Sequence, residues 1–196
     1  MSSFFSHRAP ANPQIAIESQ LQARPRKPFP LNCRAAHGLI SPKSDGWEGV
    51  LSFRVVRSAE ASWQGAVPDG SGRVALGSGA FEGPYSLRSR VEEGMRATNP
   101  EELVGAAEAA CFTMSLANLL GEAGYPARDL RTTARVTLSQ VGASFNITRI
   151  DLRTVGDVPG VDHAFFSDIA TKAKDCTVSR ALTGTEITLE ASVAGG

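Results

Sequence analysis

The residues of this 196-residue chain with the widest chemical range are three cysteines, Cys33, Cys111 and Cys176, and three histidines, His7, His37 and His163. Their spacing excludes several chemistries at once. Zinc sites draw on paired ligands a few residues apart, and no C-x-x-C or H-x-x-x-H pair is present, so no metal is expected. A serine- or cysteine-hydrolase triad needs a histidine base. His163 is the only histidine of the stretch expected to fold, and it falls in the first turn of an expected helix, where it reads as an exposed surface residue. Glycines Gly70, Gly72, Gly77 and Gly79 follow no strand-to-helix transition, so they mark turns and not a phosphate cradle.

What remains is thiol chemistry. Thiolate is the reactive form, favoured by backbone N–H groups at a helix start and disfavoured by burial unless a cation lies close. Cys176 stands beside a predicted short helical turn, Thr177 to Leu182, and meets the first condition. Cys111 sits in the middle of an apolar run and therefore needs an arginine. Taken alone, a buried helical cysteine more often fills space than reacts, so spacing leaves a core-filling role and a redox pair both open.

Lysine plus arginine equal aspartate plus glutamate, at 20 each, so no field of either sign exists to hold a polyanion or an anionic membrane, and nucleic acid is not an expected partner. The longest apolar stretches, around Ala106 to Ala110 and Leu116 to Leu120, are broken by Glu108, Thr113, Ser115 and Asn118, which argues against a membrane span. An odd number of widely separated cysteines does not suggest a secreted disulfide framework, and Met1 to Arg8 lacks the order of a secretory signal. A cytoplasmic protein is expected.

Length allows one domain with a substantial core. Residues 1–52 read as a disordered extension, because Pro10, Pro13, Pro25, Pro28, Pro30 and Pro42 interrupt any regular period. The extension's basic bias suggests either organelle targeting or an overcalled upstream start, and Cys33 within it reads as an incidental thiol. Residues 53–196 are the expected folded domain.

Within that domain, extended runs are predicted at Arg54 to Val67, Gly72 to Leu76 and Phe81 to Val91. In the last, Tyr85, Leu87 and Val91 share one parity while Arg88 and Arg90 point to the other side. A long helix follows, with Asn99 as N-cap, Pro100 at its first position and Glu101 and Glu102 facing the positive end of the dipole. It is apolar on nearly every face until Gly121 and Gly124, so it must be buried on most sides. Strands at Thr132 to Leu138 and Phe145 to Val155, a helix capped by Asp162, and a last strand at Glu186 to Val193 complete an α+β order. Short links favour antiparallel sheets packed on the central helix.

The run Thr98-Asn99-Pro100-Glu101-Glu102-Leu103-Val104-Gly105-Ala106-Ala107, continuing into Ala110-Cys111-Phe112, resembles the signature of the osmotically inducible protein C and organic hydroperoxide resistance family. Similarity extends to Pro84-Tyr85-Ser86, to Ser89-Arg90-Val91-Glu92, to Asp157 through Asp162, and to Cys176-Thr177-Val178-Ser179-Arg180-Ala181-Leu182. Residues 115–125 look like the osmotically inducible branch.

The resemblance implies a thiol peroxidase for organic hydroperoxides. Cys111 would attack the peroxide, Cys176 would resolve the resulting sulfenic acid as a disulfide, Arg90 would be the cation beside the reactive sulfur, and Glu101 would orient that arginine. No cofactor is implied, and a dithiol, of lipoyl type by the family, would reopen the disulfide. Arg88 competes with Arg90, and Glu102 with Glu101. Two departures bear on these roles: Thr177 stands where the family has proline, and the loop Glu93 to Ala97 is slightly longer than usual. Glu101 and Cys111 are ten positions apart on one helix, about 15 Å at ~1.5 Å per residue. Arg90 must span part of that gap or a second subunit must contribute, which predicts an interlocked homodimer. Phe112, Met114, Val178 and Leu182 are expected to line the approach of a bulky apolar substrate. Two rival readings are a binding or stress protein that merely keeps the fold, and a hydrolase or transferase built on Cys111, disfavoured by the missing base.

Overall fold

The computed structural model describes residues 54–194; the expected N-terminal extension and Cys33 lie outside the described residues. Three short strands, β1 (Ala59–Gln64), β2 (Ser71–Leu76) and β3 (Glu82–Tyr85), form an antiparallel meander. Gly72 sits between Trp63 and Tyr85 in the register, and a Cβ there would come within 2.5 Å of the Tyr85 ring. Without that glycine the two rings, 5.4 Å apart, could not lie over the strand between them.

The expected third strand stops at Tyr85. Leu87–Val91 forms a short helix, α1, instead of extending it. The period-two pattern loses here to a capping box: Ser86 accepts from the Ser89 N–H at 3.1 Å, and the Ser89 hydroxyl accepts from the Ser86 N–H at 2.9 Å. That hydroxyl also donates to the Thr98 carbonyl at 2.8 Å, so α1 is pinned to the segment just before the next helix.

Helix α2 (Pro100–Glu122) starts where the sequence places it, with the Asn99 side chain accepting from the Glu102 N–H at 2.8 Å. It ends against Gly124, whose φ of 86° a side chain would oppose. By length and composition α2 is apolar enough to cross a membrane, which the broken-run reading did not anticipate. Within the chain one stripe of it, Glu101, Gly105, Glu108, Phe112, Leu116 and Leu120, is buried against strands and helices, as in the core helix of a globular domain. The opposite face, including Ala106, Ala110, Met114 and Ala117, is exposed. Burial on most sides is therefore not achieved by the described residues of one chain.

The second sheet holds β4 (Asp129–Val141), β5 (Ser144–Asp157) and β6 (Glu186–Val193). β4 and β5 are an antiparallel hairpin whose even-numbered β4 residues from Leu130 to Leu138 turn toward α2, while the odd ones face outward. β6 pairs with β5 in parallel, against the expectation of antiparallel pairing. The reason is the crossover: α3 (His163–Ala173) and α4 (Thr177–Ala181) carry the chain back along the sheet before β6 begins.

Phe112, Leu116, Leu120, Ile150, Leu152 and Phe166 form the centre of the core. A run of hydroxyls crosses it: Thr113 donates to the Ala109 carbonyl or to Thr132, and Thr132 meets the fully buried Thr154 at 3.0 Å. Gly156 in β5 lets Phe166 reach the sheet, since an added Cβ would stand 2.6 Å from its ring and 2.9 Å from Leu130. Gly156→Ala should lower unfolding free energy by about 1–3 kcal/mol, the usual cost of overpacking, in urea titrations followed by circular dichroism.

Candidate active site

Cys111 lies on the edge of the buried stripe of α2, half-exposed, and Cys176 caps α4 from below, buried. The two side chains lie close enough for Cys176 to act on the ionisation of the Cys111 thiol. Burial pushes the Cys111 thiol up from its ordinary value, and Cys176 pushes in the same direction. Backbone N–H groups of Val178 and Thr177, at the start of α4, pull the other way and do not prevail. Among the described residues no cation acts on this sulfur. The described residues of one chain therefore favour the thiol form of Cys111 over the thiolate.

Thr177 leaves the turn beside Cys176 intact. It occupies the first position of α4, and the Arg180 N–H donates to the Cys176 carbonyl at 3.0 Å. An extended Cys176, with φ −82° and ψ 169°, presents its side chain to the opening turn without proline's help.

Arg90 and Glu101 pair in the same chain. Arg90 Nε donates to Glu101 Oε1 at 2.9 Å and to Oε2 at 3.1 Å, and Nη2 donates to Oε1 at 2.6 Å. Both charges are thereby fixed in a planar, forked geometry, and the carboxylate raises the guanidinium further above its ordinary range. Their competitors are occupied elsewhere: Arg88 pairs with Glu92 one turn on at the surface, and Glu102 accepts from the Thr98 hydroxyl at 3.1 Å.

The pair belongs to the N-terminal end of α2, not to the cysteines. Arg90 and Glu101 line an open groove of about 590 Å³ with Asn99, Gly105, Ala109 and Val136. Arg90 also edges a smaller apolar cleft of about 210 Å³ formed by Trp63, Val67, Tyr85, Leu87 and Pro100. Of the residues expected to line a substrate approach, Phe112 is fully buried in the core and cannot; Met114 is exposed on α2, and Val178 and Leu182 are half-buried.

Two polar residues near the cysteines escaped the sequence reading. The Ser179 hydroxyl lies 3.3 Å from Cys176 Sγ and donates to Glu108 Oε1 at 2.6 Å. Glu108 is completely buried, and its Oε2 has no hydrogen-bond partner. The available signal was positional: Glu108 precedes Cys111 by three residues, which puts both on one helix face, and Ser179 follows Cys176 by three. Sequence reading treated Glu108 only as an interruption of an apolar run.

A long helix buried along one stripe with a cysteine at mid-length, a second cysteine at a helix start nearby, and a fork-paired Arg–Glu at the helix's head place this chain among known proteins. It belongs to the OsmC-like protein family, whose profile matches residues 92–191. The peroxiredoxin OsmC of Escherichia coli strain K12 is 46% identical over 136 residues, covering 68% of this chain and 94% of the relative. Its Shigella flexneri counterpart matches equally. Among solved structures, an OsmC-like protein of unknown function from Vibrio cholerae superposes with a TM-score of 0.58 at 15% identity, over 70% of this chain and 99% of the other. The organic hydroperoxide resistance protein OhrB of Bacillus subtilis does so with a TM-score of 0.53 at 22% identity, over 68% and 97%. These structures share the fold.

The adjacency of the thiols can be checked without any peroxide. Diamide should close a Cys111–Cys176 disulfide within one chain, seen as a cross-linked peptide pair by mass spectrometry under non-reducing digestion. Cross-links dominated by Cys33 or by pairs between chains would contradict the geometry.

Proposed function

We propose that this peroxidase reduces organic hydroperoxides to alcohols with Cys111 as the attacking sulfur and Cys176 as its resolving partner. The coarser assignment, peroxidase, rests on the 46% identity to a peroxiredoxin. The finer one rests on a single observation: the Cys111 and Cys176 thiols are neighbours, with helix-start N–H groups directed at the former. In the proposed cycle the Cys111 thiolate attacks the distal peroxide oxygen and the O–O bond breaks. The leaving alkoxide takes up a proton to become the alcohol, and Cys111 is left as a sulfenic acid. Cys176 then displaces its hydroxyl as water, and an external dithiol reopens the disulfide.

Such a thiolate needs positive charge, which the described residues of its own chain do not bring to it. The proposal therefore includes a homodimer in which a second copy lays its Arg90–Glu101 pair against the exposed face of α2 near Cys111. Two observations support this: among the described residues that face is apolar and uncovered, and the first sheet shares no extensive packing with the other described elements. The apolar cleft beside Arg90, with Trp63 and Tyr85 in its wall, would then take the substrate's organic group. This favours bulky hydroperoxides over hydrogen peroxide.

Cys111→Ser should abolish turnover with cumene hydroperoxide and dithiothreitol, while Cys176→Ser should still consume one equivalent. Titration of the wild type should show two thiols lost per chain; a protein that merely keeps the fold would lose none. Arg90→Met should slow peroxide consumption at pH 7 by about a hundredfold, the usual loss when a transition-state charge partner goes. The sign of the pH effect follows from the raised Cys111 thiol: without the guanidinium, thiolate appears only on the alkaline side, so activity should recover as pH rises. Sedimentation at micromolar concentration should give a dimer, and a fully active monomer would refute the shared site.

A further inference from the structure

The buried carboxyl of Glu108 has no part in the cycle above, and among the described residues its Oε2 is the one buried side-chain oxygen without a partner. Unpaired buried polar atoms are costly and call for a reason. The contacts of its other oxygen supply one. Ser179 has a single hydroxyl proton and gives it to Glu108 Oε1 at 2.6 Å. When Glu108 is ionised and takes that proton, the 3.3 Å contact between Ser179 Oγ and Cys176 Sγ runs from sulfur to oxygen. The result is a directed chain, from the Cys176 S–H to Ser179 and from Ser179 to the carboxylate.

We infer that Ser179 and Glu108 form a proton relay that activates Cys176 for the resolving step. The inference rests on the proposed disulfide cycle. As the Cys176 sulfur advances on the sulfenic acid, its proton passes to Ser179 Oγ while the Ser179 proton passes to Glu108. The S–S bond forms, the S–O bond of Cys111 breaks, and the departing hydroxide recovers one proton from Glu108 through Ser179 or solvent. Cys111–SOH and HS–Cys176 become a disulfide and water, and Glu108 returns to its starting state. Ser179 touches the reacting sulfur; Glu108, acting through it, is a positioning residue and proton store.

Few other charges intervene. Cys111 and Cys176 are the ionisable groups beside the relay. On the packed elements, Arg131 and Arg135 of β4 and Arg180 of α4 are exposed, Arg180 pairing with Asp175 at 3.5 Å. Asp168 and Lys172 of α3 pair with each other at the surface, and the Lys174 ammonium donates to the Ile187 carbonyl.

Glu108→Gln keeps the shape and can still accept from Ser179, but it cannot take up a proton. Rapid mixing with one equivalent of cumene hydroperoxide should show disulfide closure, read by acid quench and mass shift, slowed at least tenfold relative to peroxide consumption at pH 7. Closure in this variant should also rise with pH roughly in proportion to hydroxide, whereas the wild-type profile is flatter. Ser179→Ala should reproduce both effects, which guards against a folding defect peculiar to one substitution. Closure at the wild-type rate with an unchanged pH profile in Glu108→Gln overturns the relay. The same comparison with diamide drives the second-thiol attack without peroxide. A wild type that closes with diamide and not with hydroperoxide sinks the peroxidase cycle, while the ratio between variant and wild type still decides the relay.

Discussion

The spacing along one rigid helix governs the site. α2 carries Glu101 in its first turn and Cys111 in its middle, and a helix cannot bring those positions together. Because Glu101 holds Arg90 by three hydrogen bonds, the guanidinium is committed to the helix's head. The sulfur is left in a partly buried environment that disfavours its charge. In the proposed site the charge and the sulfur it would stabilise are thus separated within the described residues of one chain. An uncovered face of small residues on the same helix is the complement of that separation, and a second copy is the economical way to meet both at once.

Much of this was legible in the residues. The cap, the first-turn acids and the glycine stop of α2 are local signals, and they placed the helix to within a residue or two of its observed ends. Asp162, heading α3, and the extent of β6 were readable for the same reason. Cys111 and Cys176 stood out because no competing chemistry had the partners it required. Their pairing was not readable from spacing, since they stand 65 positions apart; it came from resemblance, and the fold brings the two thiols close to one another.

The misreadings have physical causes. Leu87 to Val91 alternates like a strand, yet the Ser86–Ser89 capping box bends it into a helical turn and swings Arg90 onto Glu101. Phe112 was expected to face substrate because it adjoins Cys111, but adjacent helix residues point about 100° apart, and Phe112 points into the core. Glu108 looked like a polar interruption because a single charge in an apolar run usually faces water. Here it faces a serine brought by a distant helix, a partner that only tertiary structure can supply.

The parallel pairing of β6 with β5 constrains how the protein can respond to oxidation. The segment carrying Cys176 leaves one strand of the second sheet and returns to the neighbouring strand, so it is moored at both ends in the same sheet. In the proposed cycle the covalent link to α2 would form from the N-cap of α4, between two strands whose register the sheet fixes. If the proposed disulfide forms, its reductant would meet a bond held between a long helix and a crossover moored in the sheet at both ends.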